Sequence, residues 1–463
     1  MKQRVQNLAI LPVLIAGLGL MLAGRATAQT FTNLHSFTGT DGSHPHTSLI
    51  LSSNILYGTT DHGGSGNGMV FAVNTDGTGF TNLHTFHAIS NGSNPNGGLI
   101  LSGNILYGTT IGGSGSGAGM VFAINTDGTG FTNLYNFTPA SGSPATNSDG
   151  TGPQSTLVLS DNTLYGAAYG GGSSGYGTLF AVNTDGTSFT NLHNFTGGSD
   201  GANPVGGVIL SGNMLYGTAY GGGNSGKGTV FAVHTDGTGF TNLYGFTGSG
   251  GANTYSGLIL SGNTLYGTAY GGGGNLNAGT VFAINTDGTG FTNLHSFTVI
   301  DGTLPRAGLF LSGNILYGTA SSGGVANNGT LFKIKTDGTG FTNLHKFTAS
   351  SGTFMTNGDG ANPYDGLILS GSTLYGTARL GGSSGNGTIF RLSFGTPQIS
   401  ITLSETNVIL TWPTNATWFT LQSATNADSS VWNTVSPGPV VVSGQNTVTN
   451  PISDPQRFYR LSQ

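Results

Sequence analysis

The chain has no cysteine and a single glutamate, Glu405, in 463 residues. The first absence removes disulfides, thiolate nucleophiles and cysteine-based metal sites together. Charge is scarce as well: Asp, Glu, Lys and Arg make up 6% of the chain, against about 25% in an average globular domain. Asn, Thr, Ser and Gly must therefore cover the surface, and few ionisable groups are left for catalysis. Setting aside Lys2, Arg4 and Arg25 of the leader described below, nine basic residues face 17 acidic ones, a net charge near −8. Such a surface argues against nucleic acid and anionic membranes as partners. Beyond the first 28 residues no run of apolar residues is long enough to cross a bilayer.

What is present begins with that leader. Lys2 and Arg4 precede an apolar stretch, Leu8 to Leu22, and Ala26-Thr27-Ala28 supplies a small-residue cleavage site. This is the pattern of a secretory signal peptide over residues 1–28. Pro12, Gly17 and Gly19 interrupt the apolar stretch, which counts against a membrane anchor. The expectation is a secreted protein, extracellular or held at the cell surface or in the periplasm, and not an integral membrane protein after cleavage.

Leu-Tyr-Gly then occurs seven times, at Tyr57, Tyr107, Tyr165, Tyr216, Tyr266, Tyr317 and Tyr375. A period of this size marks a supersecondary unit that buries its faces only by stacking on its neighbours. Each unit reads as four short strands, for example Gly257–Ser261, Thr264–Thr268, Thr280–Ile284 and Phe291–Phe297. Their β-branched and aromatic residues suit strands, and Asn, Asp and Gly punctuate the ends. Asp-Gly at Asp76, Asp127, Asp185, Asp236, Asp287 and Asp337 falls between the third and fourth strands. These are read as turns and not as calcium loops, because carboxylates at alternating positions are missing. After the leader comes an orphan fourth strand, Phe31–Phe37, and the seventh repeat stops after its third, Thr388–Leu392. The fold class expected is all-β: a seven-bladed β-propeller over 29–395, closed by the N-terminal strand, and a small C-terminal β-sandwich over 396–463.

With a glycine pair after strand two and an aromatic opening strand four, the blade resembles the kelch repeat. The fuller wording L-Y-G-T-x-x-G-G-x-x-x-x-G-T-V-F-x-x-x-x-D-G-x-x-F-x-x-L-x-x-F resembles the GloVer tandem repeat of secreted bacterial proteins, over about Phe31 to Phe394. The resemblance implies export and surface association and supplies no catalytic residues. Kelch-type copper oxidases use a cysteine-linked tyrosine, which this chain cannot form. After Gly395 the composition changes: Trp412, Trp418 and Trp432 all lie there, and the segment is similar to fibronectin-III-like β-modules. Its tryptophans are read as core.

Near-identical repeats let the chain serve as its own comparison. Two connections vary, and by chain direction both emerge on one face, where binding residues belong. Four residues after each Leu-Tyr-Gly tyrosine come Asp61, Ile111, Tyr169, Tyr220, Tyr270, Ser321 and Arg379. In the loop entering each blade come His46, Asn96, Gln154, Val205, Tyr255, Arg306 and Tyr364. The ligand-binding candidates are Tyr169, Tyr220, Tyr270, Tyr255, Tyr364, Arg306, Arg379 and Asp61: tyrosines to stack on sugars or simply to cover glycine-rich loops, arginines to neutralise a uronate. Blade one also gathers Asp41, His44, His46, Asp61 and His62. Of these, His44, His46 and His62 are weak metal candidates beside the reading of a solvated loop. No catalytic residue and no cofactor is assigned. The expected function is a non-catalytic protein gripping an extracellular glycan or protein. The alternatives are a polysaccharide-active hydrolase or lyase, for which carboxylates are few, and an inert envelope component.

Overall fold

The computed structural model describes residues 29–462 except 65, 89, 114, 396–398, 414–418, 427–430 and 453–456. The expected leader and Trp418 lie outside the described residues. Every regular element described is a β-strand, and no helix long and apolar enough to cross a membrane occurs among these residues. The chain forms two compact units, Gln29–Phe394 and most of Gly395–Ser462.

The larger unit holds seven antiparallel sheets of four or five strands. The fifth sheet shows why the repeat folds this way. Ile259–Ser261, Thr264–Ala269, Thr280–Asn285 and Thr292–Ser296 pair in chain order. Gly262 turns the first hairpin with φ of 57°, a conformation that glycine adopts at little cost. Thr280–Ile284 is buried throughout, as a strand covered on both faces must be. Gly267 pairs with Phe282, and a Cβ there would lie 2.6 Å from the Phe282 ring and 2.8 Å from Leu258. The glycine of Leu-Tyr-Gly is thus the space that the neighbouring ring occupies. The fourth strand is shorter than expected from sequence. Its register slips beside Phe282, and Phe291 stays out of the ladder and stacks on Tyr244 of the preceding sheet, centroids 3.8 Å apart.

That stacking recurs at seven sheet-to-sheet contacts. His35 meets Phe80, His84 meets Phe131, Tyr135 meets Phe189 and His193 meets Phe240. Tyr244 meets Phe291, His295 meets Phe341, and His345 meets Phe31, all at 3.7–4.0 Å. Seven apolar clusters run between the same sheets, and one of them joins Phe37, Tyr375 and Ile389 to Leu49, Leu56 and Phe71. A buried threonine after Leu-Tyr-Gly adds a hydrogen bond at six contacts. Thr59 donates to the Pro95 carbonyl, Thr109 to Ser155, Thr218 to Ser256, Thr268 to Ala307, Thr319 to Asp365 and Thr377 to Thr47. The third repeat carries Ala167 instead, where the Ser155 hydroxyl bonds the Ala167 backbone. The N-terminal strand Thr30–Ser36 pairs antiparallel with Thr388–Ser393 and completes the seventh sheet.

The smaller unit has one four-stranded sheet (Ser400–Ser404, Asn407–Pro413, Gln445–Pro451, Val440–Val442) and one three-stranded sheet (Asn433–Thr434, Thr420–Ala424, Phe458–Ser462). Trp412 is buried, as are Leu410, Leu421 and Val448. Trp432 lies under the Arg460 guanidinium at 4.3 Å.

Candidate functional site

At one end of the larger unit, each Asp-Gly aspartate accepts hydrogen bonds from the backbone N–H and the hydroxyl of the threonine two residues on, as Asp236 does from Thr238 at 2.9 and 2.7 Å. These bonds hold the six carboxyls below the usual aspartate range and commit them to the turn. The fourth-strand histidines are also occupied: besides stacking, His35, His193, His295 and His345 sit 2.8–3.2 Å from Asp41, Asp200, Asp301 and Asp359. Asp41 therefore serves its own strand and stands apart from the other ionisable residues of the first repeat.

Each loop entering a sheet is bent by a left-handed residue two positions before the variable one. His44, Asn94, Gly152, Asn203, Asn253, Leu304 and Asn362 have φ of 55–62°. Asn suits this conformation, and its side chain bonds backward: Asn94, Asn203, Asn253 and Asn362 donate to the carbonyls of Asp61, Tyr169, Tyr220 and Ser321. The two variable positions are thereby tied together. Beyond each bend, all seven entry residues (His46, Asn96, Gln154, Val205, Tyr255, Arg306 and Tyr364) line one cavity of about 390 Å³.

One side of the cavity is aromatic and cationic. The Arg306 guanidinium lies 4.5 Å from the ring of Tyr255, 4.6 Å from Tyr270 and 4.7 Å from Tyr364, and it donates to the Tyr270 hydroxyl at 3.3 Å. Tyr220 packs on Tyr255, which packs on Tyr270; burial, with help from Tyr220, pushes Tyr255 up to about 12. Tyr169, 41% exposed, stands outside this cluster. Arg379 lies 5.2 Å from the other side of the cluster, over Tyr364. The Nε atoms of both arginines are buried without a hydrogen-bond partner.

His46 packs edge-on against the same Tyr364. Burial lowers it to about 4; Asp61 opposes this, while Arg379, Arg306 and His44 add to it. The imidazole is therefore neutral at pH 7. Asp365 is the one carboxylate among the cavity-lining residues. It takes a place where the other repeats have Thr47, Gly97, Ser155, Gly206, Ser256 and Ala307. Its carboxylate accepts from the Ser48 hydroxyl at 2.7 Å and from the Gly366 N–H at 2.6 Å, and loss of hydration raises its pKa.

His44, Asp61 and His62 converge in the first repeat. His62 Nδ1 is 2.7 Å and His44 Nδ1 3.7 Å from Asp61 Oδ1, and Arg379 approaches the other oxygen at 3.9 Å. The sequence already marks Asp365, with Asp61, as one of the few acids outside the repeated turns, standing where every other repeat carries a small residue. Its bond to Ser48 on the cavity wall is what sequence reasoning missed.

The model of the Gloeobacter/Verrucomicrobia repeat matches residues 17–148 and 143–324, more than half of the sequence. The chain belongs to the Gloeobacter/Verrucomicrobia repeat family. Among curated proteins, none matches this repeat protein. Two solved structures of oligogalacturonate lyase, one in complex with manganese and one from Vibrio parahaemolyticus, share the fold with TM-scores of 0.51 at 11% and 12% identity. Each match covers 80% of the repeat protein, and 94% and 95% of those chains. An extracellular domain from B. thetaiotaomicron gives a TM-score of 0.51 at 12% identity, over 88% of the repeat protein and 48% of that chain. At these identities the likeness is one of fold.

Proposed function

We propose that the seven sheets are the blades of a closed, kelch-like seven-bladed β-propeller, and that its cavity face binds an extracellular glycan without catalysis. In this reading residues 1–28 export the protein, and 396–463 form a fibronectin-III-like β-sandwich module. The observation that carries the proposal is the convergence of all seven variable entry residues on one cavity. Variation among otherwise repeated loops marks the positions that structure leaves free, and ligand pockets gather where such loops meet. Tyrosine rings beside Asn96, Gln154 and Ser48 offer stacking surfaces and hydroxyl partners. Arg306, on the cavity wall, and Arg379, over Tyr364, favour an acidic sugar.

Affinity electrophoresis of residues 29–463 through neutral and uronate-containing polysaccharides tests this. Retardation by the acidic polymers is expected, at least tenfold weaker in Arg306→Ala. A smaller loss is expected in a Tyr169/Tyr220/Tyr270 triple alanine variant. Retardation by no polymer would sink the glycan reading and leave a protein partner or an inert envelope role. Retardation unchanged in both variants would move the site off the cavity.

One arrangement supports a second reading, a polysaccharide lyase. The neutral His46 lies beside two arginines, so it could take a proton from a uronate whose carboxylate they neutralise. The fold likeness to oligogalacturonate lyase points the same way, by analogy only. Unsaturated product released from a polyuronate and lost in His46→Asn would favour it. A hydrolase is less well supplied, since Asp365 has no second cavity-lining carboxylate to work with.

A further inference from the structure

The first repeat departs from the others at three positions that meet in space. Where His44 stands, four repeats have Asn94, Asn203, Asn253 and Asn362. Where His62 stands, four have Gly112, Gly170, Gly221 and Gly271, and no other repeat has a carboxylate in the place of Asp61. Chance variation on a surface of such low charge would not be expected to gather two imidazoles and a carboxylate at one point. One ligand-capable atom from each residue lies within 4.8 Å of the others.

We propose that His44, Asp61 and His62 bind a divalent transition-metal ion of the imidazole-preferring class, for which zinc is the probe. Three features besides residue type carry this. Ligand atoms around a tetrahedral zinc sit about 3.3 Å apart, given bond lengths near 2.0–2.1 Å. The separations of 2.7 and 3.7 Å from Asp61 Oδ1 bracket that spacing, so small rotations complete the site. The His44 Nδ1 atom is buried and faces Asp61 Oδ1 at 3.7 Å, too far for a hydrogen bond. His44 also takes the repeat's left-handed bend, φ of 55°, in place of the asparagine whose side chain elsewhere bonds the neighbouring backbone. The half-exposed His62 gives an ion its way in. Two histidines and one carboxylate leave a coordination position open to water or a ligand. Arg379 opposes the ion's charge through its approach to Asp61, which sets the affinity at a moderate level. The proposal is independent of what the cavity holds.

Isothermal titration with zinc chloride tests it, on untagged protein at pH 7.5. One zinc per chain is expected, with Kd on the order of micromolar. The variants H44N and H62G restore residues of the other repeats, so the fold is retained, which a matching melting curve would verify. Each should weaken zinc at least tenfold. R379Y, which installs the tyrosine of three other repeats, should tighten it by roughly threefold to tenfold. Cobalt in place of zinc should give ligand-field absorption that is lost in both histidine variants. No zinc binding, or equal binding by the H44N/H62G double variant (an adventitious ion only), would overturn the proposal.

Discussion

The two ends of the larger unit answer the same repetition in opposite ways. At one end six turns carry the same Thr-Asp-Gly-Thr, and each aspartate spends its carboxylate on the threonine two residues later. At the other end seven loops share a bend but present His, Asn, Gln, Val, Tyr, Arg and Tyr to a common cavity. Because both ends descend from one template within one chain, uniformity shows what the backbone requires and variation shows what it leaves open. The acids of the uniform end are therefore architectural. The sparse ionisable groups of the variable end (Arg306, Arg379, Asp365, His46 and the His44–Asp61–His62 group) are the ones free to do chemistry.

Acid should break this contrast most strongly. His46 titrates near 4 in the folded protein and near 6.5 in the unfolded chain. As pH falls below 6.5 the unfolded chain takes up the proton first, so stability drops until about pH 4 and then levels. For His46 alone the loss approaches about 3 kcal/mol. Burial lowers His35, His44, His84, His193 and His295 in the same direction. Denaturant melts at pH 7 and pH 4.5 should show the parent losing more stability than His46→Asn, which places the residue of the second repeat there. Equal losses would remove His46 from the account. Next in size, Thr268→Val removes a buried bond to the Ala307 carbonyl and should cost on the order of 1 kcal/mol, with glycan retardation unchanged. The smallest effect is expected at the uniform end: Asp236→Ala should lower the melting temperature by about 2 °C or less and leave both glycan and zinc binding intact. A large loss of either ligand there would erase the distinction between the two ends.

Much of this organisation was legible in the sequence because it is written seven times. The strand order, the Asp-Gly turns and the pairing of Phe31–Phe37 with the last repeat follow from local patterns and from counting where the repeat starts and stops. Aligning the repeats also picked the entry positions that line the cavity. What one sequence cannot display is side-chain direction between sheets. Arg306 of the sixth repeat lies among Tyr255 and Tyr270 of the fifth and Tyr364 of the seventh, and Tyr169 stands outside a cluster that its repeat position suggested it would join. Asp41 was grouped with His44 and His62 by proximity along the chain, but the geometry of its loop delivers it to His35. The early end of the fourth strand had a similar cause: Phe291 and its counterparts serve the neighbouring sheet instead of their own ladder.

The pairing of Thr30–Ser36 with Thr388–Ser393 has a consequence in time. During synthesis Thr30–Ser36 is made long before its partner, because some 350 residues must follow it before Thr388 exists. Until then the growing polypeptide carries an unmatched strand at its start and an unprotected edge at its growing tip. Both are templates for pairing with other chains. Contacts this far apart in sequence also form slowly once available. Full-length protein and any prematurely ended product should thus differ in kind and not only in length: in one Thr30–Ser36 has its partner strand, and in the other it has none.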